Sequence, residues 1–94
     1  PSTAATSVVI ATVDTNTYNA AWFDYYLYKG SNHRAGTVTA VTDGSTYQWN
    51  DVSTLDIGDT AEAQTNVILN GTDLEFKLTS STTGWTIKTI VKTL

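Results

Sequence analysis

Residues 18–29 read YNAAWFDYYLYK, the most aromatic run in the chain. Taken with a period of two, the run sets Ala21, Phe23, Tyr25 and Leu27 on one side and Trp22, Asp24, Tyr26 and Tyr28 on the other. The first set reads as the core face of a long strand. The second is too aromatic for an ordinary solvent face. Left bare, Trp22, Tyr26 and Tyr28 would expose roughly 450–750 Å², at or above the ~300–600 Å² of the largest patch on a typical monomer. Three covers come into question: a loop or the N-terminal segment of the same chain, a neighbouring subunit, or a sugar stacked on the rings.

Working outward, the rest of the chain divides into short strands separated by turn signals. Residues 1–7, PSTAATS, read as a flexible lead or the end of a linker, and residues 8–94 as one domain. Val8–Val13 alternates as a strand, and DTNT at 14–17 turns it. Gly30-Ser31-Asn32 breaks the aromatic strand, and the next runs from Arg34 to Thr42, with Thr37, Thr39 and Val41 as neighbours for the aromatic face. Gly36 within it signals a bulge or a close backbone approach. Asp43-Gly44 predicts a type I′ hairpin into Ser45–Trp49, whose end frays towards Thr54. After a loop, LDIGDT at 55–60, Glu62–Leu69 and Asp73–Leu78 form a hairpin about Asn70-Gly71. Leu74, Phe76 and Leu78 point inward there, against Asp73, Glu75 and Lys77 outward. Trp85–Leu94 closes the series, with Trp85, Ile87 and Val91 on one face.

No segment has helical periodicity, and no internal repeat is present. The pattern predicts an all-β fold: an antiparallel β-sandwich of seven to eight strands, jelly-roll or Ig-like. One strand cannot offset the entropy of its own ordering, so the strands must share buried area between two sheets.

Composition excludes several functions. Five basic residues and a net charge of −4 do not form the basic stripe that tracks nucleic acid, nor do they attract an anionic membrane. There is no cysteine, hence no disulfide and no thiol nucleophile. No apolar stretch is long enough for a helix to span a bilayer. The chain opens on Pro-Ser-Thr and has no methionine, which reads as a trimmed product or a fragment.

Candidate sites are few. His33, the only histidine, sits beside Arg34 in the stretch GSNHR and reads as an exposed loop residue rather than a general base. No G-x-S-x-G elbow occurs. Asp56, Asp59 and Glu62 surround Gly58 and offer oxygen ligands to calcium, but solvated loop acids are the simpler account, so no metal and no cofactor is expected. Asn70-Gly71-Thr72 matches a glycosylation sequon, which the turn explains without a sugar. The strongest candidate is the aromatic face itself: Trp22, Asp24, Tyr26 and Tyr28.

TYNAAWFDYYL (17–27), RAGTVTAVTDGSTYQW (34–49), LDIGDT (55–60), LNGTDLEFKL (69–78) and GWTIKTIVK (84–92) together resemble β-sandwich modules of phage tail-fibre-like or virion-surface proteins, common in phages of cyanobacteria and other aquatic bacteria. The resemblance implies a virion component without catalytic activity. Its partners would be other virion proteins and copies of itself, a homotrimer among the symmetric options. The alternative is a carbohydrate-binding module that adsorbs the particle to a host glycan, with Trp22, Tyr26 and Tyr28 as stacking platform and Asp24 binding hydroxyls.

Overall fold

The computed structural model describes residues 6–94. Seven strands follow one another: β1 (Thr6–Asp14), β2 (Ala20–Lys29), β3 (Asn32–Thr42), β4 (Tyr47–Ser53), β5 (Ala63–Asn70), β6 (Asp73–Ser80) and β7 (Thr86–Thr93). They build two antiparallel sheets, ordered β1-β6-β5 and β4-β3-β2-β7, packed as a sandwich. The chain changes sheet three times, at β1–β2, β4–β5 and β6–β7. Of the expected lead, residues 1–5 lie outside the described residues, while Thr6 and Ser7 already pair with Ser80 and Thr79 in β1.

The long aromatic strand is central to its sheet, with β3 on one side and β7 on the other. Its burial alternates as its sequence does: Ala21, Phe23, Tyr25 and Leu27 are buried. β6 holds the same place in the facing sheet and buries Leu74, Phe76 and Leu78. Phe23 and Phe76 stack across the sandwich with ring centroids 4.9 Å apart, and Tyr25 tilts onto Phe76 at 6.0 Å. Such pairs add about 0.5–1.5 kcal/mol beyond their buried area.

Three local expectations are corrected, and at Gly36 the structure decides between the two that were open. In β1 the alternation slips: the register shifts between Val9 and Ala11, so a bulge at Ile10 brings Ala11 opposite Phe76 and Val13 opposite Leu74. At Gly36 there is no bulge, only the close approach. A Cβ there would lie 2.8 Å from both the Tyr25 hydroxyl and the Val52 carbonyl oxygen. The Asp43-Gly44 hairpin is a four-residue loop, with Thr42 paired to Tyr47. The Asp43 carboxylate explains the extra length, accepting from the backbone N–H groups of Ser45 (2.9 Å) and Thr46 (2.8 Å). Those donors, Thr46 first, hold its carboxyl below the usual range. The Asn70-Gly71 turn is centred one residue later, because Asn70 already pairs with Asp73 and the loop is Gly71-Thr72.

β4 is also longer than its sequence suggested, paired as far as Ser53 opposite Gly36. The extension matters for the core. Asp51, within it, accepts hydrogen bonds from the Tyr25 hydroxyl (3.0 and 2.9 Å) and from the Thr65 hydroxyl of β5. One carboxylate thus ties the edge of one sheet to the edge of the other. Burial, then the bond to Asp51, pushes the Tyr25 hydroxyl above its usual pKa and keeps it a donor.

Candidate functional site

The outer face of the β4-β3-β2-β7 sheet carries the four residues singled out from the sequence. Register places Trp22 opposite Thr39 and Lys92, Asp24 opposite Thr37 and Ile90, Tyr26 opposite Ala35 and Lys88, and Tyr28 opposite His33 and Thr86. The expected neighbours Thr37, Thr39 and Val41 are therefore in place. Val52 of β4 extends the Asp24 row, opposite Thr37.

The rings do not form one platform. Trp22 stands four residues, ~13 Å, from Tyr26 along the strand, with Asp24 between them. Tyr26 and Tyr28 stack at 5.2 Å, and His33 joins them at 5.9 and 6.1 Å. The planes of Tyr26 and His33 differ by only 2°, and the Tyr26 hydroxyl lies 2.8 Å from His33 Nδ1. His33 is thus a strand residue and a member of the face, not the loop residue its sequence context suggested. The signal was present: Gly30 and Ser31 alone make the turn, so Tyr28 and His33 pair directly. The partner of His33 is the phenol hydroxyl of Tyr26.

Asp24 is already engaged. Lys92 Nζ sits 2.9 Å from one carboxylate oxygen, and the Thr37 hydroxyl donates to the other at 2.7 Å. These contacts, Lys92 first, hold the Asp24 carboxyl below its ordinary 3.8. The sign follows. A depressed folded-state pKa contributes stability that is present above 3.8 and lost as pH falls through the lower folded value. Asp24→Asn should be less stable than wild type at pH 6, and the gap should close as pH falls below about 4. Urea denaturation across that range checks it. A gap that does not change with pH would mean the carboxylate contributes nothing by its charge.

Beside Tyr26 the segment between β4 and β5 runs along the start of β3 and pairs with it. Thr54 N–H donates to the Ala35 carbonyl (2.8 Å), and Ile57 and His33 exchange two backbone hydrogen bonds (2.8 and 3.0 Å). Asp59 N–H donates to Asn32 Oδ1 at 2.9 Å. Gly58 has φ +76°, and a Cβ there would collide with that same amide oxygen, so the glycine is required. Arg34 reaches from below to Thr60 Oγ1 (3.2 Å) and the Ala63 carbonyl (2.9 Å). This segment flanks the His33 corner at the edge of the sheet.

The acids considered for calcium do not converge. Asp56 accepts from Thr60 N–H at 3.4 Å, Asp59 from Ala61 N–H at 2.9 Å, and Glu62 from the Thr82 hydroxyl at 2.6 Å. Among the described residues no group of three metal-ligating side chains comes together. Each carboxylate is used locally, within its loop or to tie neighbouring loops.

The two outer faces differ in how much apolar surface stands among their polar positions. On the three-stranded sheet Glu75, Lys77 and Thr79 alternate outward, flanked by Gln64, Asn66 and Thr12, with Val9 and Ile68 the apolar exceptions. On the four-stranded sheet Tyr26, Val41, Val52 and Ile90 are exposed, the last two at 67% each, beside the half-buried Trp22 and Tyr28. The sequence-based reading missed Val52 and Ile90, because each sits on an edge strand whose register was not fixed. No family model, curated protein or solved structure matches the chain.

Proposed function

We propose that the chain is a non-enzymatic structural module of a phage particle that acts by protein–protein packing through the outer face of its four-stranded sheet. The contrast between the two outer faces carries this reading. One is polar apart from Val9 and Ile68; the other sets Trp22, Tyr26, Tyr28, Val41, Val52 and Ile90 among Thr37, Thr39, Gln48, Asn50, Lys88 and the Asp24–Lys92 pair, and so shows more apolar surface than a solvated sheet needs. Four strands ~4.8 Å apart and about nine residues long at ~3.3 Å each span roughly 500–600 Å², the order of the ~800 Å² per partner of a standard interface. Tyrosine and tryptophan are the residues that interfaces enrich. The sequence resemblance to virion modules supplies the setting, with neighbouring particle proteins and further copies of the chain as partners.

The engaged Asp24 bears on the sugar alternative. A glycan would have to displace Lys92 and Thr37 to reach its carboxylate, and the rings divide into two groups. We therefore expect no response on a glycan array.

Size-exclusion chromatography with light scattering tests the packing reading. At high micromolar concentration the wild type should exceed the 10.1 kDa of one chain. The double variant Val52→Glu/Ile90→Glu should return to it with an unchanged circular dichroism spectrum, since both side chains are exposed. A wild type that stays at single-chain mass throughout would count against assembly of copies through this face.

A further inference from the structure

We infer that Asn70 is a site of spontaneous deamidation, where the backbone nitrogen of Gly71 closes on the Asn70 side-chain carbon. The inference is independent of the docking face. The chain holds one Asn-Gly pair, Asn70-Gly71, and one Asp-Gly pair, Asp43-Gly44. Both pairs permit the same ring closure, because a glycine puts no side chain beside the attacking nitrogen. Both are exposed in hairpin loops, so exposure does not distinguish them. Hydrogen bonding does.

At Asp43-Gly44 both reacting groups are occupied. Gly44 N–H donates to Thr42 Oγ1 at 3.0 Å, and the Asp43 carboxylate accepts from Ser45 and Thr46 N–H. Asp43 N–H donates in turn to the Thr46 carbonyl at 3.3 Å. These bonds turn the carboxyl towards the far side of the loop. They also keep it ionised, and a carboxylate is a poor target for a nucleophile.

At Asn70-Gly71 neither group is held in this way. Among the described residues nothing accepts from Gly71 N–H, and the Asn70 amide nitrogen has one long contact, 3.5 Å to Glu75 Oε2. Thr15 holds the tip only from Thr72, whose carbonyl accepts from the Thr15 N–H (2.9 Å) and hydroxyl (2.8 Å). Ring closure turns the Asn70 backbone out of strand geometry. Asn70 is the last residue of β5, so this opens one terminal pair, Asn70 with Asp73. Terminal pairs are where a hairpin opens most readily.

The step needs only water and solvent base. The Gly71 nitrogen loses its proton and bonds to Asn70 Cγ; the Cγ–Nδ2 bond breaks, and the nitrogen leaves as ammonia after taking up a proton from water. Water then opens the succinimide ring at either carbonyl, giving aspartate or isoaspartate, with nothing oxidised or reduced. The new carboxylate stands opposite Asp73, which Asp14 faces from the other side, and within reach of Glu75. Like charges are thus crowded at that end of the three-stranded sheet.

Peptide mapping by mass spectrometry tests the site on the whole chain, held at mildly alkaline pH in native buffer and, in parallel, in urea. Isoaspartate should accumulate at position 70 in the native sample. The ratio of the urea rate to the native rate measures how far the fold protects each pair. It should be at least tenfold larger for Asp43 than for Asn70. Thr42→Val removes the acceptor of Gly44 N–H, and should raise isoaspartate at position 43 while position 70 keeps its rate. Circular dichroism checks that this variant folds; should it not, the wild-type ratio alone decides. Three outcomes overturn the proposal: equal protection of the two pairs, aspartate at position 70 with no isoaspartate, or a folded Thr42→Val whose position 43 reacts no faster than in the wild type.

Discussion

Phe76→Ala should cost about 3–5 kcal/mol of folding stability. Phe76 is fully buried at the centre of β6, and its ring is the surface on which both Phe23 and Tyr25 of the facing sheet rest. Truncation removes the transfer energy of the ring and leaves a cavity that two large neighbours cannot fill without leaving their rotamers. A domain of this length has a total stability of roughly 5–14 kcal/mol, so the loss consumes much of it. In urea denaturation the midpoint should fall steeply, and the melting temperature should drop by about 15 °C or more. Phe76→Leu should lose less than half as much, because it keeps most of the volume. An alanine variant within about 1 kcal/mol of wild type would mean that the two sheets do not pack on this ring as described.

Asp51→Ala should be the most damaging polar substitution, at about 2–5 kcal/mol, since it leaves two donors, the hydroxyls of Tyr25 and Thr65, without their acceptor. Tyr25 is 4% exposed, so little water reaches its hydroxyl in compensation. Tyr25→Phe should cost less, about 1–3 kcal/mol, because Asp51 keeps Thr65 as a donor. The double variant separates this bond from general packing. Once Asp51 is gone, removing the Tyr25 hydroxyl should cost almost nothing or restore stability, because an unsatisfied buried donor disappears with it. Strict additivity of the two substitutions in urea denaturation would show that the hydroxyl and the carboxylate do not meet. Gly36 belongs to the same arrangement: its missing side chain leaves the path along which the Tyr25 hydroxyl reaches β4.

These two sites mark where the sequence was informative and where it was not. Phe76 was readable, because Leu74-Glu75-Phe76-Lys77-Leu78 alternates without exception and period two admits one burial pattern. The same logic placed Trp22, Asp24, Tyr26 and Tyr28 on one face. Asp51 was not readable. It lies on an edge strand in the stretch QWNDVS, and its meaning comes from Thr65, which only the packing of the second sheet brings near. Hairpin positions were visible in Asp43-Gly44 and Asn70-Gly71, but their lengths depended on which side chain capped the turn. Asp43 widened one loop, and pairing of Asn70 with Asp73 moved the other by a residue. The misplaced start of β3 had a functional consequence, since two residues of error put His33 in a loop instead of beside Tyr28.

The proposed docking through the outer face of the four-stranded sheet is tested most directly by solvent accessibility in solution. Paramagnetic relaxation by a soluble gadolinium chelate can be recorded by NMR for the Trp22 indole, the methyl groups of Val41, Val52 and Ile90, and the side chains of Ile68 and Thr79 on the opposite sheet. Between dilute and concentrated samples the first group should become protected while the second remains fully relaxed. Equal accessibility of both groups at every concentration, or protection confined to Ile68 and Thr79, would contradict it.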